Sequence, residues 1–385
     1  MLESRWRRWI GTGVIAIVAV GSAASVATGA GPRHWTPPAC AETGDPGAAA
    51  RAASPVSLGD IATEAWFRLD PRLDRTGALE GQRLAIGLDG DRSSRIMDLP
   101  SESFAAGPFG RIVLVGTDDG NASRLLAIDV AGQCAWDVGA ESAVIRRATI
   151  DPAGTTIYEM RVDRATRTDL GIWSRPLDGS QPTTPFLDPI DVDERFGPTF
   201  TTEFAWDIGG PALVVQSCGE VACRTRVVEP ASGSVRTVAE PDLGALVGLD
   251  GGRLVTYAAC PGLPCPVVST DLSSGVRSTL ADAAAIAILV RTTDGPRLVH
   301  EVFDGPGIAL RSVALDGSPT HDLGPVPEGM RLHPTAGIAE TATRVGADWV
   351  LLSPDGRLPD TGPRARTQLR NVTDGTTVQL DEVAQ

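Results

Sequence analysis

A strand–turn–strand unit recurs along this chain, and few folds can hold it. The copies are Ser94–Ala105, Arg124–Val138, Gly171–Leu187, Cys223–Ala239, Pro266–Ala281, Ile308–Gly324 and Ala365–Leu380. Their turns are Pro100-Ser101, Ala131-Gly132, Asp178-Gly179, Ser232-Gly233, Ser274-Gly275, Asp316-Gly317 and Asp374-Gly375. All but the first place Gly where the backbone needs positive φ. Gly233, Gly275 and Gly317 stand 42 residues apart in each case. Upstream of most copies lies another β-rich run: Arg83–Leu88, Arg111–Val115, Thr156–Met160, Ala212–Gln216, Arg253–Tyr257 and Arg297–Val302. An approach strand often comes before it, as in Ala148-Thr149-Ile150 and Ala245-Leu246-Val247.

Four short strands per unit of this length make one blade of a β-propeller. A single such sheet cannot bury its faces, so the blades must stack into a nearly complete ring. A β-sandwich would not repeat at this period, and a β-helix has much shorter coils. The reading is therefore all-β: a propeller of four-stranded blades over 56–385, with seven blades preferred and six or eight allowed. The 43 Gly and 29 Pro, scattered among 385 residues, fit many strands joined by turns.

One stretch carries a resemblance. Val115-Gly116-Thr117-Asp118-Asp119-Gly120-Asn121-Ala122-Ser123-Arg124-Leu125-Leu126-Ala127-Ile128-Asp129 runs an apolar strand into an Asp-Gly-Asn turn, and the next strand ends in Asp. Ile150-Asp151-Pro152-Ala153-Gly154 and Leu352-Ser353-Pro354-Asp355-Gly356 supply a second signature. Together they resemble the repeat of the TolB-like propellers over roughly residues 80–380, degenerate in several blades. The resemblance implies an envelope propeller used for protein contact, and it brings no catalytic residues. Trp136-Asp137 and Trp206-Asp207 imitate the dipeptide of WD-repeat propellers. They fall at different points of their blades and lack the Gly-His partner, so they read as core aromatics beside turn-capping carboxylates.

The first thirty residues set the compartment. Arg5, Arg7 and Arg8 precede an apolar run from Trp9 to Val20, and small residues follow through Ala30. That is the layout of a secretory signal, and the stretch is also nearly long enough to span a bilayer. Residues 1–30 thus read as a signal peptide or a membrane anchor. Either way the bulk of the chain is exported, periplasmic or extracytoplasmic, with membrane contact only through residues 9–30. Residues 31–55, rich in Ala, Pro and Gly, read as a flexible tether.

In such a compartment six Cys are first a disulfide framework. Cys218 and Cys223 share their spacing with Cys260 and Cys265, in the same hairpin of successive units. Cys40 and Cys134 remain, and pairing them would tie the tether to the second blade. A zinc site with two pairs of Cys is the rival reading, disfavoured by the oxidising compartment and the separate turns.

The search for chemistry is negative. The four His are His34, His300, His321 and His333, and none forms a metal-hydrolase pair. His300 lies on an alternating strand and reads as a core or channel histidine. Gly-x-Ser-x-Gly, phosphate loops and dinucleotide fingerprints are absent, and the hydrolase half of a propeller peptidase has no length left for it. Asp118, Asp119 and Asn121, or Asp89 and Asp91, lack the rest of a calcium loop and read as turn caps. The basic side is all Arg, and the net charge of −14 disfavours nucleic acid. No cofactor, metal or catalytic residue is implied.

The expectation is a non-catalytic binding or scaffold module of the cell envelope, serving another envelope protein or a cell-surface ligand. The alternative is an envelope carbohydrate-active or other hydrolytic propeller enzyme using scattered carboxylates. The acidic insertion, with Asp188, Asp191, Asp193, Glu194, Phe196 and Phe200, and the two Cys hairpins form the candidate binding face.

Overall fold

The computed structural model describes residues 35–40, 65–73, 79–88, 95–109, 111–190, 200–218, 223–238, 243–258, 260, 262–305, 307–332, 344–345, 348–354 and 368–379. Residues 1–34, read above as signal or anchor, lie outside these.

The described residues form strands and turns alone, in seven antiparallel sheets. Sheet I holds β1 (Ala65–Leu73), β2 (Leu79–Leu88) and β3 (Arg95–Leu99). Sheet II is β4 (Phe104–Phe109), β5 (Ile112–Asp118), β6 (Ser123–Asp129) and β7 (Cys134–Glu141). Sheet III is β8 (Val144–Ile150), β9 (Thr156–Val162), β10 (Asp169–Pro176) and β11 (Thr184–Leu187). Sheet IV is β12 (Phe200–Trp206), β13 (Leu213–Cys218), β14 (Cys223–Glu229) and β15 (Ser234–Val238). Sheet V is β16 (Leu243–Asp250), β17 (Arg253–Ala258), β18 (Cys265–Asp271) and β19 (Arg277–Ala284). Sheet VI is β20 (Ala287–Thr292), β21 (Gly295–Asp304), β22 (Gly307–Ala314) and β23 (His321–Val326). Sheet VII orders β24 (Met330–Leu332), β26 (Trp349–Pro354), β27 (Gln368–Asn371) and β28 (Thr377–Gln379), with β25 (Arg344–Val345) paired to β26. Six sheets thus carry the four-strand path of a blade, and sheet I has three strands among the described residues.

Each seam between sheets is filled by its own apolar cluster. Phe67, Leu84 and Ile86 of sheet I meet Val113, Val115 and Ile128 of sheet II. Leu114 and Leu125 then meet Ile150 and Ile157, and Met160 and Ile172 meet Phe204 and Val215. Val214 packs with Leu246 and Leu254, and Val255 and Tyr257 pack with Ala287 and Leu298. Val299 and Leu310 pack with Leu332 and Val350. Ala85 of sheet I with Leu351 and Leu369 of sheet VII completes the ring. Middle strands are apolar on both sides because both sides are seams, which is why Ile112–Val115 and Leu213–Val215 read as unbroken apolar runs, buried throughout.

Polar staples accompany this packing. The first strands of sheets I to V carry bulges, in III to V with register shifts at Ile145/Arg147, Thr201/Glu203 and around Leu246, whereas β20 and β24 pair in continuous register and receive the same bond. Bulges leave backbone N–H groups short of partners. The preceding sheet supplies the acceptor. Ser123 Oγ accepts from Ile145 N at 3.2 Å, Asp169 Oδ2 from Thr201 N at 2.6 Å and Gln216 Oε1 from Leu246 N at 3.1 Å. The Tyr257 hydroxyl accepts from Ala287 N, and Glu301 Oε1 accepts from Leu332 N at 2.6 Å. Five successive seams, II–III through VI–VII, are stapled in this way among the described residues.

One hairpin of the sequence reading is corrected. Ser94–Ala105, with its turn at Pro100-Ser101, is not a hairpin within a blade. β3 ends sheet I and β4 begins sheet II, so Pro100–Ser103 is the crossover between them. Gln82 Nε2 holds it, donating to Ser101 O at 2.8 Å and Ser103 O at 2.6 Å. The other six copies are third-to-fourth-strand hairpins, as their pairings show.

Candidate functional site

Because strands alternate in direction, the ring has two unlike faces. One carries the first-to-second and third-to-fourth turns. The other carries the second-to-third hairpins together with the crossovers between sheets; we refer to it as the hairpin face. Cys218 and Cys223 close the tip of β13–β14, and Cys260 and Cys265 close that of β17–β18, each as a disulfide. Adjacent sheets therefore present crosslinked loops on the same face. The insertion after Asp188 is the crossover from β11 to β12, so it leaves and returns on this face too. Its return is tied to the first crosslink, because Phe200 pairs directly with Cys218 in the ladder.

Of the insertion residues singled out in the sequence, Asp191, Asp193, Glu194 and Phe196 lie outside the described residues. Asp188 is exposed, and its carbonyl accepts from Arg226 Nη1 at 2.8 Å. Phe200 begins β12. Two apolar side chains stand out on the neighbouring tips: Leu263, 50 % exposed, and Phe303, 57 % exposed.

Charge on this face is organised in pairs. Asp118 takes both terminal nitrogens of Arg164, at 2.8 and 2.7 Å, joining the hairpins of sheets II and III. That bidentate contact, with help from Ser123, holds the Asp118 carboxyl well below the usual carboxylate range. Asp119 Oδ1 accepts from Asn121 N and Ala122 N, each at 2.8 Å. Both carboxylates are thus engaged as turn and seam caps, and no group of three or more metal-ligating side chains occurs among the described residues. Toward the channel, Arg147 of β8 pairs with Glu203 of β12, linking two inner strands, while the neighbouring Arg146 is exposed. Arg331 of β24 reaches Glu301 through Nε and Nη2, at 2.9 and 2.6 Å.

The third disulfide, Cys40–Cys134, works elsewhere. Residues 35–40, within the segment read as a tether, lie along the rim at sheets I and II. Trp35 N donates to Ile96 O at 2.9 Å, its ring packs into the I–II cluster, and Ala39 forms a parallel bridge with Ala135. No helix among the described residues is long and apolar enough to cross a membrane.

Sequence reasoning missed the staples and Arg226. A signal for the first was present: Gln216 is a polar residue closing the otherwise apolar run Leu213–Val215 in a second strand.

Comparison with known proteins bears on the fold. No family model matches the chain, and no curated protein matches it. Among solved structures, a prolyl endopeptidase aligns with a TM-score of 0.55 at 15 % identity, over 87 % of this chain and 51 % of that one. The β-propeller domain of the trilobed protease from Pyrococcus furiosus aligns with a TM-score of 0.53 at 11 % identity, over 82 % and 92 %. The fold is a β-propeller. TolB from Acinetobacter baumannii is also similar, with a TM-score of 0.46 at 14 % identity over 73 % of this chain and 66 % of TolB. The propeller chain thus spans about two thirds of TolB and about half of the endopeptidase. At these identities the likeness is one of fold.

Proposed function

We propose that this propeller is an exported binding or scaffold module of the cell envelope, working through its hairpin face on another envelope protein or a cell-surface ligand. The observation that carries the reading is the clustering on one face of two crosslinked tips in adjacent sheets, the β11–β12 insertion and exposed Leu263 and Phe303. Tips fixed beforehand lose less entropy on binding, and exposed apolar side chains gain from being covered. Three disulfides and no free cysteine are consistent with an extracytoplasmic site. Membrane contact, in this reading, is through residues 9–30 alone.

An envelope hydrolase using scattered carboxylates is the second reading, favoured by the peptidases among the propeller's structural neighbours. It calls for a pair of facing carboxylates in the channel at glycosidase separations. The inner-strand carboxylate described there, Glu203, is bonded to Arg147.

The test is a pull-down from envelope extract with the full chain as bait, against a variant carrying Leu263→Ser, Phe303→Ser and a trimmed 191–199 segment. Loss of the captured partners in the variant is expected. An unchanged set of partners would show that the working surface is elsewhere.

A further inference from the structure

Several arginines in this propeller have partners at both nitrogens of the side-on fork. Arg161 directs Nε and Nη2 at Glu159 Oε2, at 2.9 and 2.5 Å. Arg331 does the same with Glu301 Oε2. Arg297 gives Nε to Ser312 Oγ at 2.6 Å and Nη2 to Ser312 O at 3.5 Å. In each the side-on fork, the two parallel N–H groups of Nε and Nη2, is filled from within the chain.

Arg226 differs at both nitrogens of the fork, whereas Arg370, also buried, lacks a hydrogen-bond partner at Nε alone. Arg226 stands on β14, three residues from Cys223, and shares the seam-facing side of that strand with Val228 of the III–IV cluster. The residue is 8 % exposed. Nη1 donates to Asp188 O at 2.8 Å, but Nε and Nη2 are both buried without a partner in the chain. Among the described residues no other arginine has both fork nitrogens in this condition. A buried guanidinium is costly unless its N–H groups meet acceptors. The carboxylate beside it is committed elsewhere: Asp169 Oδ2 takes Thr201 N and Thr201 Oγ1 at 2.6 and 2.7 Å, and Oδ1 takes Gly171 N at 2.8 Å. Burial pushes the Arg226 pKa down, and the fields of Asp169 and Asp188 oppose that.

We infer that the Nε/Nη2 fork of Arg226 is a binding site for a carboxylate group from outside the chain, at the III–IV seam of the hairpin face. Two parallel N–H groups match the two oxygens of a planar carboxylate, and the desolvated setting strengthens the contact. The seam supplies hydroxyls as well: Thr201 and Ser217, both buried, lie within 3.3 Å of each other there. The site stands beneath the Cys218–Cys223 tip and at the root of the insertion, and both nitrogens are covered in the unliganded chain. An acidic side chain, a chain terminus or a sugar acid of a ligand docked on the hairpin face takes the fork by displacing what covers it. For its place on the molecule the inference rests on the proposed binding face, and the two fail separately. The pull-down tests the face, and the following measurement tests Arg226.

Thermal unfolding of the full chain is followed at constant pH and ionic strength in chloride, acetate or inorganic phosphate. Acetate is expected to raise the midpoint over chloride by roughly 2–5 °C, the size of weak binding to the native state alone. Arg226→Met should abolish the rise, and Arg226→Lys, which keeps the charge without the fork, should lose most of it. An equal rise in all three proteins means an adventitious ion only and overturns the site. No rise in the unmodified chain also overturns it, and a rise with phosphate but not acetate overturns the carboxylate assignment. Should Arg226→Met not fold, the Arg226→Lys comparison decides alone.

Discussion

At the scale of the residue, His300 shows how burial becomes pH dependence. It is 4 % exposed on β21, on the same side as Leu298 of the V–VI cluster, and its Nδ1 has no partner. Burial, aided by the charge of Arg311, pushes its pKa down from 6.5 to about 4. Between those values the unfolded chain binds more protons than the folded one, so stability rises with pH across that window and is lost as acid is added. The full effect is at most about 3 kcal/mol. Urea denaturation from pH 7 to pH 4.5 should show the decline, and His300→Phe should flatten it; an unchanged slope in the variant would place the titration elsewhere. Gly116 makes a steric point. A Cβ there would lie 2.0 Å from Phe104 Cε1, inside a packed seam. Gly116→Ala is therefore expected to cost roughly 1–3 kcal/mol, read from the denaturation midpoint. Residue types at both positions were visible in the sequence, and His300 was read as buried in core or channel. That Phe104 fills the space over Gly116 was not, because the two meet only across the β4–β5 pairing.

At the scale of the element, the staples carry the argument. Gln216, fully buried, donates to Gly244 O at 3.1 Å and accepts from Leu246 N, spanning the seam from sheet IV to the bulged first strand of sheet V. Gln216→Leu keeps the volume but strands both backbone groups, at about 1–3 kcal/mol. The loss should appear as faster hydrogen exchange at Leu246 N, a change that simple repacking of the side chain would not produce. The Gly turns have their own device. Asp178, Asp271 and Asp316 accept from the hydroxyl and N–H of Ser180, Ser273 and Ser318, and each is held below its ordinary pKa by those bonds, chiefly the hydroxyl's. Their contribution is present near neutrality and falls away as pH drops through the lowered values. These hairpins were legible because turn chemistry is local. The crossover at Pro100–Ser103 was not, since a short polar link reads alike whether the next strand pairs back or starts a new sheet.

At the scale of the whole molecule, the three disulfides do unequal work. Cys218–Cys223 and Cys260–Cys265 each span 5 residues, and Cys40–Cys134 spans 94. On loop entropy alone the short ones contribute about 2 kcal/mol each and the long one about 4–5 kcal/mol. Replacing both short pairs by Ser should leave unfolding cooperative with a modest drop in midpoint. Replacing Cys40 and Cys134 by Ser should lower it further and expose residues 35–40 to proteolysis. If instead the short pairs prove the more costly to lose, they brace the seams and are not merely clamps on loop tips. The ring itself is closed without a crosslink, by Ala85 against Leu351 and Leu369.

Strand positions, most turn sites, the blade as a repeating unit and the pairing of the four hairpin cysteines could be read from the residues in order, because each rests on short-range periodicity or on spacing. The pairing of Cys40 with Cys134, 94 residues apart, could not. The second-strand runs at Arg111–Val115, Thr156–Met160 and Arg253–Tyr257 fall where the reading put them. What lies across a seam could not be read that way. Arg226 and Asp188 are 38 residues apart, and Gln216 and Leu246 are 30. Their meeting depends on how adjacent blades are rotated and on which strand is bulged, and a one-residue shift reverses the side to which a side chain points. The repeat therefore shows that blades exist, while contact between blades makes a seam, a staple or a site.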